Sequence, residues 1–170
     1  MTDETASNGD STTEAGNRLS TPLVINAQYV KDLSFENPNA PQSLMGDAGA
    51  PKIDLQVDLQ GRPLAENVFE LALTLRAEAT QGDRSAFICE LVYGGVFTLA
   101  PLPVDQQRAL LMIEGARMLF PFARQILADM TQQGGFPPLM LQPIDFVDLY
   151  RRQILAQQGP SADQPAQGNA

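Results

Sequence analysis

The chain has 170 residues, with 20 acidic against 11 basic side chains, a formal charge of −9, no His and a single Cys. That length suits one domain plus tails, and the acidity, with no basic stripe, argues against nucleic acid and for a basic protein partner. Without His or a second Cys there is no usual neutral-pH general base, no internal disulfide and no Cys-based zinc site, so no metal or cofactor is expected. Residues 1 to 22 are rich in Thr, Ser, Asn, Gly and acids and read as an acidic, disordered tail. They are polar rather than basic then apolar, so they do not read as a signal peptide. No apolar run approaches the roughly 20 residues that span a bilayer. Cytoplasm is the expected location, without membrane insertion.

The folded domain is expected at 23–157. Leu23 to Phe35 reads as the first strand. Its alternation puts Val30, Asp32, Ser34 and Glu36 on one face and Tyr29, Lys31, Leu33 and Phe35 on the other. Pro38 and Pro41 stop it, because proline donates no ladder hydrogen bond. A Gly/Ala/Pro-rich crossing, Pro38 to Pro51, leads to the cleanest period-two pattern in the chain. Here Ile53, Leu55, Val57 and Leu59 point inward and Asp54, Gln56, Asp58 and Gln60 outward. Gly61-Arg62-Pro63 is expected to end this strand. A third strand, about Asn67 to Ala79, turns through Gln81-Gly82-Asp83-Arg84 into a fourth, Ser85 to Leu99. The fourth is apolar on both faces for much of its length, which implies that its outer side is covered. Within it Cys89 reads as a small buried hydrophobe. Gly94-Gly95 reads as a bulge or bend and lacks the flanking residues of a phosphate cradle.

Pro101 and Pro103 close the strands. A short helix is expected over Asp105 to Glu114, ending near Gly115, and a longer one from near Pro121, at its N-terminal position, to Gln133. Phe136 to Pro143 reads as extended. A last helix starts at Asp145 as N-cap and runs to about Gln157. Residues 158–170 read as a second disordered tail. Strands followed by helices indicate an α+β fold, a four-stranded antiparallel sheet with helices on one face.

Three groups of residues stand out. The first helix carries Leu110, Leu111, Met112 and Ile113 in succession, so it seeks burial on more than one side; an oligomer interface is one solution and ordinary core packing the other. Tyr29, Phe35, Phe87 and Phe97, with Leu44 and Met45 in the crossing, form an aromatic and flexible-apolar set. Taken alone this set reads as core, though such residues also suit clefts that repack around varied ligands. Asp32 and Glu36 stand roughly 13 Å apart along an extended strand, too far for paired acid–base work on one bond, where about 5–9.5 Å is usual. No enzymatic activity is expected, and on their own these acids read as solvated strand polarity.

Five blocks nevertheless share one pattern with a known family. They are Tyr29 to Pro41; Ala86 to Glu90 with Gly94 to Phe97; Leu119 to Arg124; Gly135 to Leu139; and Leu141 to Phe146. Together they resemble the SecB family of tetrameric protein-export chaperones, in its order and near its spacings, from about Leu23 to Gln157. The resemblance implies a dimer of dimers (a homotetramer) with helices between paired sheets, Leu110, Leu111 and Ile113 lying at the oligomer interface. It implies hydrophobic grooves for unfolded precursor proteins, with Leu23, Tyr29, Phe35, Leu44, Met45, Ile53, Leu55, Phe87 and Phe97 in them and no ATP. Leu23 stands where the family often has Phe. It implies a flat acidic surface of Asp32, Glu36, Ile88 and Glu90 that docks the SecA translocation ATPase; Ile88 replaces a common Leu. A SecB-like chaperone dedicated to an antitoxin, or a general holdase without a main export role, is the alternative that the same groove would serve.

Overall fold

The computed structural model describes residues 21–45, 49 and 51–158. The two expected tails lie outside the described residues, apart from Thr21 and Pro22 at one end and Gln158 at the other. Four long strands, β1 (Leu23–Glu36), β2 (Lys52–Ala65), β3 (Val68–Gln81) and β4 (Arg84–Leu99), form one antiparallel sheet in the order β1-β4-β3-β2. The order follows from two tight turns, with Asn67 and Gly82 at positive φ, and one crossing that carries the chain from one edge of the sheet to the other. The central strands β3 and β4 contribute Leu71, Leu73, Leu75, Leu91 and Phe97, all sealed from solvent, on the side that meets the helices.

β2 runs straight through Gly61-Arg62-Pro63, where the sequence suggested an end. Pro63 pairs with Phe69, and the sheet order makes β2 an edge strand, so a residue without an N–H can be accommodated. A second departure lies in β1. Its pairing with β4 shifts between Ile25 and Ala27 and again between Val30 and Asp32. The second shift inserts Lys31 as an extra residue, and such a bulge reverses the phase of everything after it. Tyr29 and Lys31 therefore face away from the helices, whereas Leu33 and Phe35 face toward them. Strict alternation had put all four together.

The two expected helices are one continuous stretch: α1 (Val104–Leu110), a π turn (Leu111–Gly115) and α2 (Ala116–Gln133). Gly115 continues the helix instead of ending it, at φ −58°, because its missing side chain lets the turn approach the sheet. A Cβ there would stand 3.1 Å from Leu71. Pro121 lies inside α2 and not at its start. Leu119, Phe120, Ala123, Leu127 and Thr131 form the buried stripe of α2. The Thr131 hydroxyl donates to the Ala128 carbonyl and accepts from the Leu139 N–H, both at 2.9 Å, which pins the extended segment after α2. α3 (Phe146–Gln158) begins as its sequence indicates: Asp145 Oδ1 accepts from the N–H groups of Val147 and Asp148 at 3.0 and 3.1 Å. No described helix is long and apolar enough to cross a membrane.

Candidate docking surfaces

After the Lys31 bulge, β1 sets Asp32 opposite Val92, Ser34 opposite Glu90 and Glu36 opposite Ile88. Residues directly opposite share a face, so Asp32, Glu36, Ile88 and Glu90 occupy one patch on the side of the sheet away from the helices. β3 continues the rungs with Arg76 opposite Glu90 and Glu78 opposite Ile88, and β2 adds Asp54 opposite Glu78. Neighbouring strands lie about 4.8 Å apart, so the rung Glu36–Ile88–Glu78–Asp54 crosses the whole sheet with one apolar side chain among three carboxylates. Asp54 was visible in the sequence as an outward-pointing residue, and Glu78 lies within the expected third strand. Their membership of this patch needed the strand order, which period-two patterning does not reveal. The outer positions of β4, including Ile88, Val92 and Val96, are half-buried between neighbouring side chains, and no described element covers them.

A second group on the same face surrounds Glu70, which is only 3% exposed. Its carboxylate accepts hydrogen bonds from Arg62 and from the Tyr29 hydroxyl, and Lys31 Nζ lies 3.1 Å away. The Arg62 bond first, then the Tyr29 bond, outweigh desolvation and hold the carboxyl down to about 2. The Tyr29 ring lies over Gly94, where a Cβ would stand 2.7 Å from it. Glycine at 94 is thus a close-approach position, and Tyr29 does not share a groove with Phe35.

On the helix side, Phe35 stacks on Phe87 with centroids 5.7 Å apart, and Phe87 meets Phe136 at 4.9 Å. Gly134 and Gly135, at the end of α2, lie against Phe35 and Leu44 respectively, so the crossing, β1 and α2 converge here. Leu44 is 46% and Met45 76% exposed, and Phe35, Ile53 and Leu55 are half-buried. Leu23, Phe87 and Phe97 differ from an open groove: they are sealed within the single chain. The reason is position. All the odd-numbered residues of β4 from Phe87 to Leu99 point under the helix layer, and Leu23 opposite Leu99 follows them. Phe136, which sequence reasoning left in an extended connector, belongs to the aromatic cluster. Cys89 is fully buried and its thiol is pushed up to about 11 by desolvation, which leaves it inert.

Of the helix residues assigned to an interface, Leu111 is buried against the sheet, while Leu110 and Ile113 are half-buried beside Leu102 and Ala109. Uncovered apolar side chains include Val24, Val30 and Leu33 on β1, Val104 at the start of α1, and Met118 and Phe122 on α2. A further cleft of about 830 Å³ opens between the β2 edge, α1 and α3, with Leu59, Pro63, Phe69, Val104 and Met112 in its walls.

The family described as preprotein translocase subunit SecB matches residues 17–158 of this chain. The chain belongs to the SecB family. A protein-export protein SecB of Rhodospirillum centenum is 66% identical over 159 residues, covering 91% of this chain and 94% of that protein. The protein-export protein SecB of Agrobacterium fabrum is 49% identical over 154 residues, covering 91% and 93%. Among solved structures, a SecB-like chaperone of Mycobacterium tuberculosis in complex with a peptide from an antitoxin superposes with a TM-score of 0.61 at 15% identity. It covers 76% of this chain and 95% of that one, and shows the same fold. SecB is a chaperone family and not an enzyme family, and the export reading is supported over the antitoxin one.

Proposed function

We propose that this SecB-family chain works in the cytoplasm as a tetramer that holds precursor proteins unfolded and passes them to the SecA ATPase. Clients lie along the helix-side apolar surface near Phe35, Leu44, Met45, Ile53 and Leu55. The driving force is burial of client side chains at about 25 cal/mol per Å² over a long contact, which needs no nucleotide. SecA docks on the opposite face. The observation that carries this reading is the cross-strand register of Asp32, Glu36, Ile88 and Glu90, which gives one flat acidic patch whose backs are turned to the apolar surface. Client and motor then approach from different sides. Exposed Val30, Leu33, Met118 and Phe122 support assembly, since a lone chain leaves them in water.

The test has two arms. Stoichiometric tetramer is expected to delay refolding of a slow-folding precursor, and absence of delay would end the chaperone reading. Asp32→Lys combined with Glu90→Lys is expected to abolish SecA binding while client holding stays intact; equal loss of both activities would mean the surface is assigned wrongly. Sedimentation should give a mass near four times 18.4 kDa.

A further inference from the structure

We infer that Arg76 is a built-in competitor on the docking face, occupying carboxylates that a basic partner must otherwise win, and that Glu78 is a docking residue beside Glu36 and Glu90. This rests on the docking reading above. Arg76 sits on the central strand β3, directly opposite Glu90 and two residues before Glu78 on the same face. Its guanidinium lies 3.1 Å from Glu90 and 3.5 Å from Glu78. Those three side chains are between 36% and 40% exposed, so the pairs are reachable and held only weakly by solvent-screened attraction.

Around Arg76 stand six carboxylates, Glu90 on its own rung and Asp32, Asp58, Glu36, Glu78 and Asp54 on the two neighbouring rungs. Lys31, next to Asp32, is drawn instead to Glu70, and Lys52 lies one rung beyond Asp54 at the start of the edge strand. The charge of this area calls for a partner that offers lysines and arginines. Such a partner meets Arg76 twice, as a like charge and as the occupant of Glu90 and Glu78. Arg76 also positions Glu90, but the Glu90 backbone is already fixed in the middle of the sheet. Competition therefore outweighs positioning.

Titration calorimetry with purified SecA at two salt concentrations tests this on the full-length tetramer. Arg76→Gln is expected to tighten binding roughly two- to tenfold, with a steeper dependence on salt. Arg76→Lys should restore wild-type affinity, and Glu78→Gln should weaken it by a similar factor. Client holding and melting temperature serve as controls that a fold defect would move. Unchanged or weaker binding by Arg76→Gln, while Asp32→Lys with Glu90→Lys still abolishes docking, overturns the inference alone. Undiminished binding by that double charge reversal overturns the docking reading, and this inference with it.

Discussion

On the helix side of the sheet Leu71, Leu73, Leu75, Leu91 and Phe97 have lost essentially all contact with solvent, whereas on the other side Asp32, Glu36 and Asp54 stand exposed on the same four strands. The first side is held by packing, where a missing methylene is felt throughout. The second, outside the buried Glu70 cluster, is an array of exposed charges whose members can be exchanged with little effect on folding. Between them lies a third kind of surface, Leu44, Met45 and Phe35, apolar yet only partly covered. The contrast shows that apolar character alone does not separate open surface from core in this chain. What separates Phe97 from Met45 is whether α1 and α2 cover it.

The comparison is broken most forcefully by emptying the sealed layer. Phe97→Ala should lower stability by about 3–5 kcal/mol, read from urea denaturation. A loss under about 1 kcal/mol would mean Phe97 is not core and the groove assignment should be restored. A smaller effect is expected at the Glu70 cluster. The Glu70 carboxyl is depressed when folded, so its contribution is complete above the ordinary carboxylate value and is lost as pH falls toward about 2. Urea midpoints at pH 5 and pH 3 should therefore fall further for the wild type than for Glu70→Gln; parallel falls would deny the network a role. The smallest expected change in stability is at Met45→Ser, within about 0.5 kcal/mol, although client holding should weaken measurably. Intact holding would remove the crossing from the client surface.

Much of this was legible from residues. The alternation of Ile53 to Gln60, the Gln81 to Arg84 turn and the Asp145 cap each produce local structure by local means, and all three appear as read. Features set by long-range packing were not legible. Gly115 looks like a helix end until Leu71 is placed beneath it. Pro63 looks like a strand end until β2 is known to be an edge. Phe87 and Phe97 look like groove aromatics until the odd side of β4 is seen to lie under the helices. Of the acidic patch, the β1 and β4 members were named through the family resemblance, while Glu78 and Asp54 emerged only from β3 and β2 completing the rungs.

The extra residue at Lys31 has a consequence for how sequences of this kind are compared. It divides β1 beyond Ile25 into two parities: from Ala27 to Lys31 an odd number such as Tyr29 lies on the side away from the helices, and past Lys31 an odd number such as Phe35 lies on the helix side. A change at an odd position therefore carries opposite meaning in the two halves. Removing Lys31 would merge them into a single parity and turn either the anionic or the apolar residues of β1 onto the opposite side of the sheet.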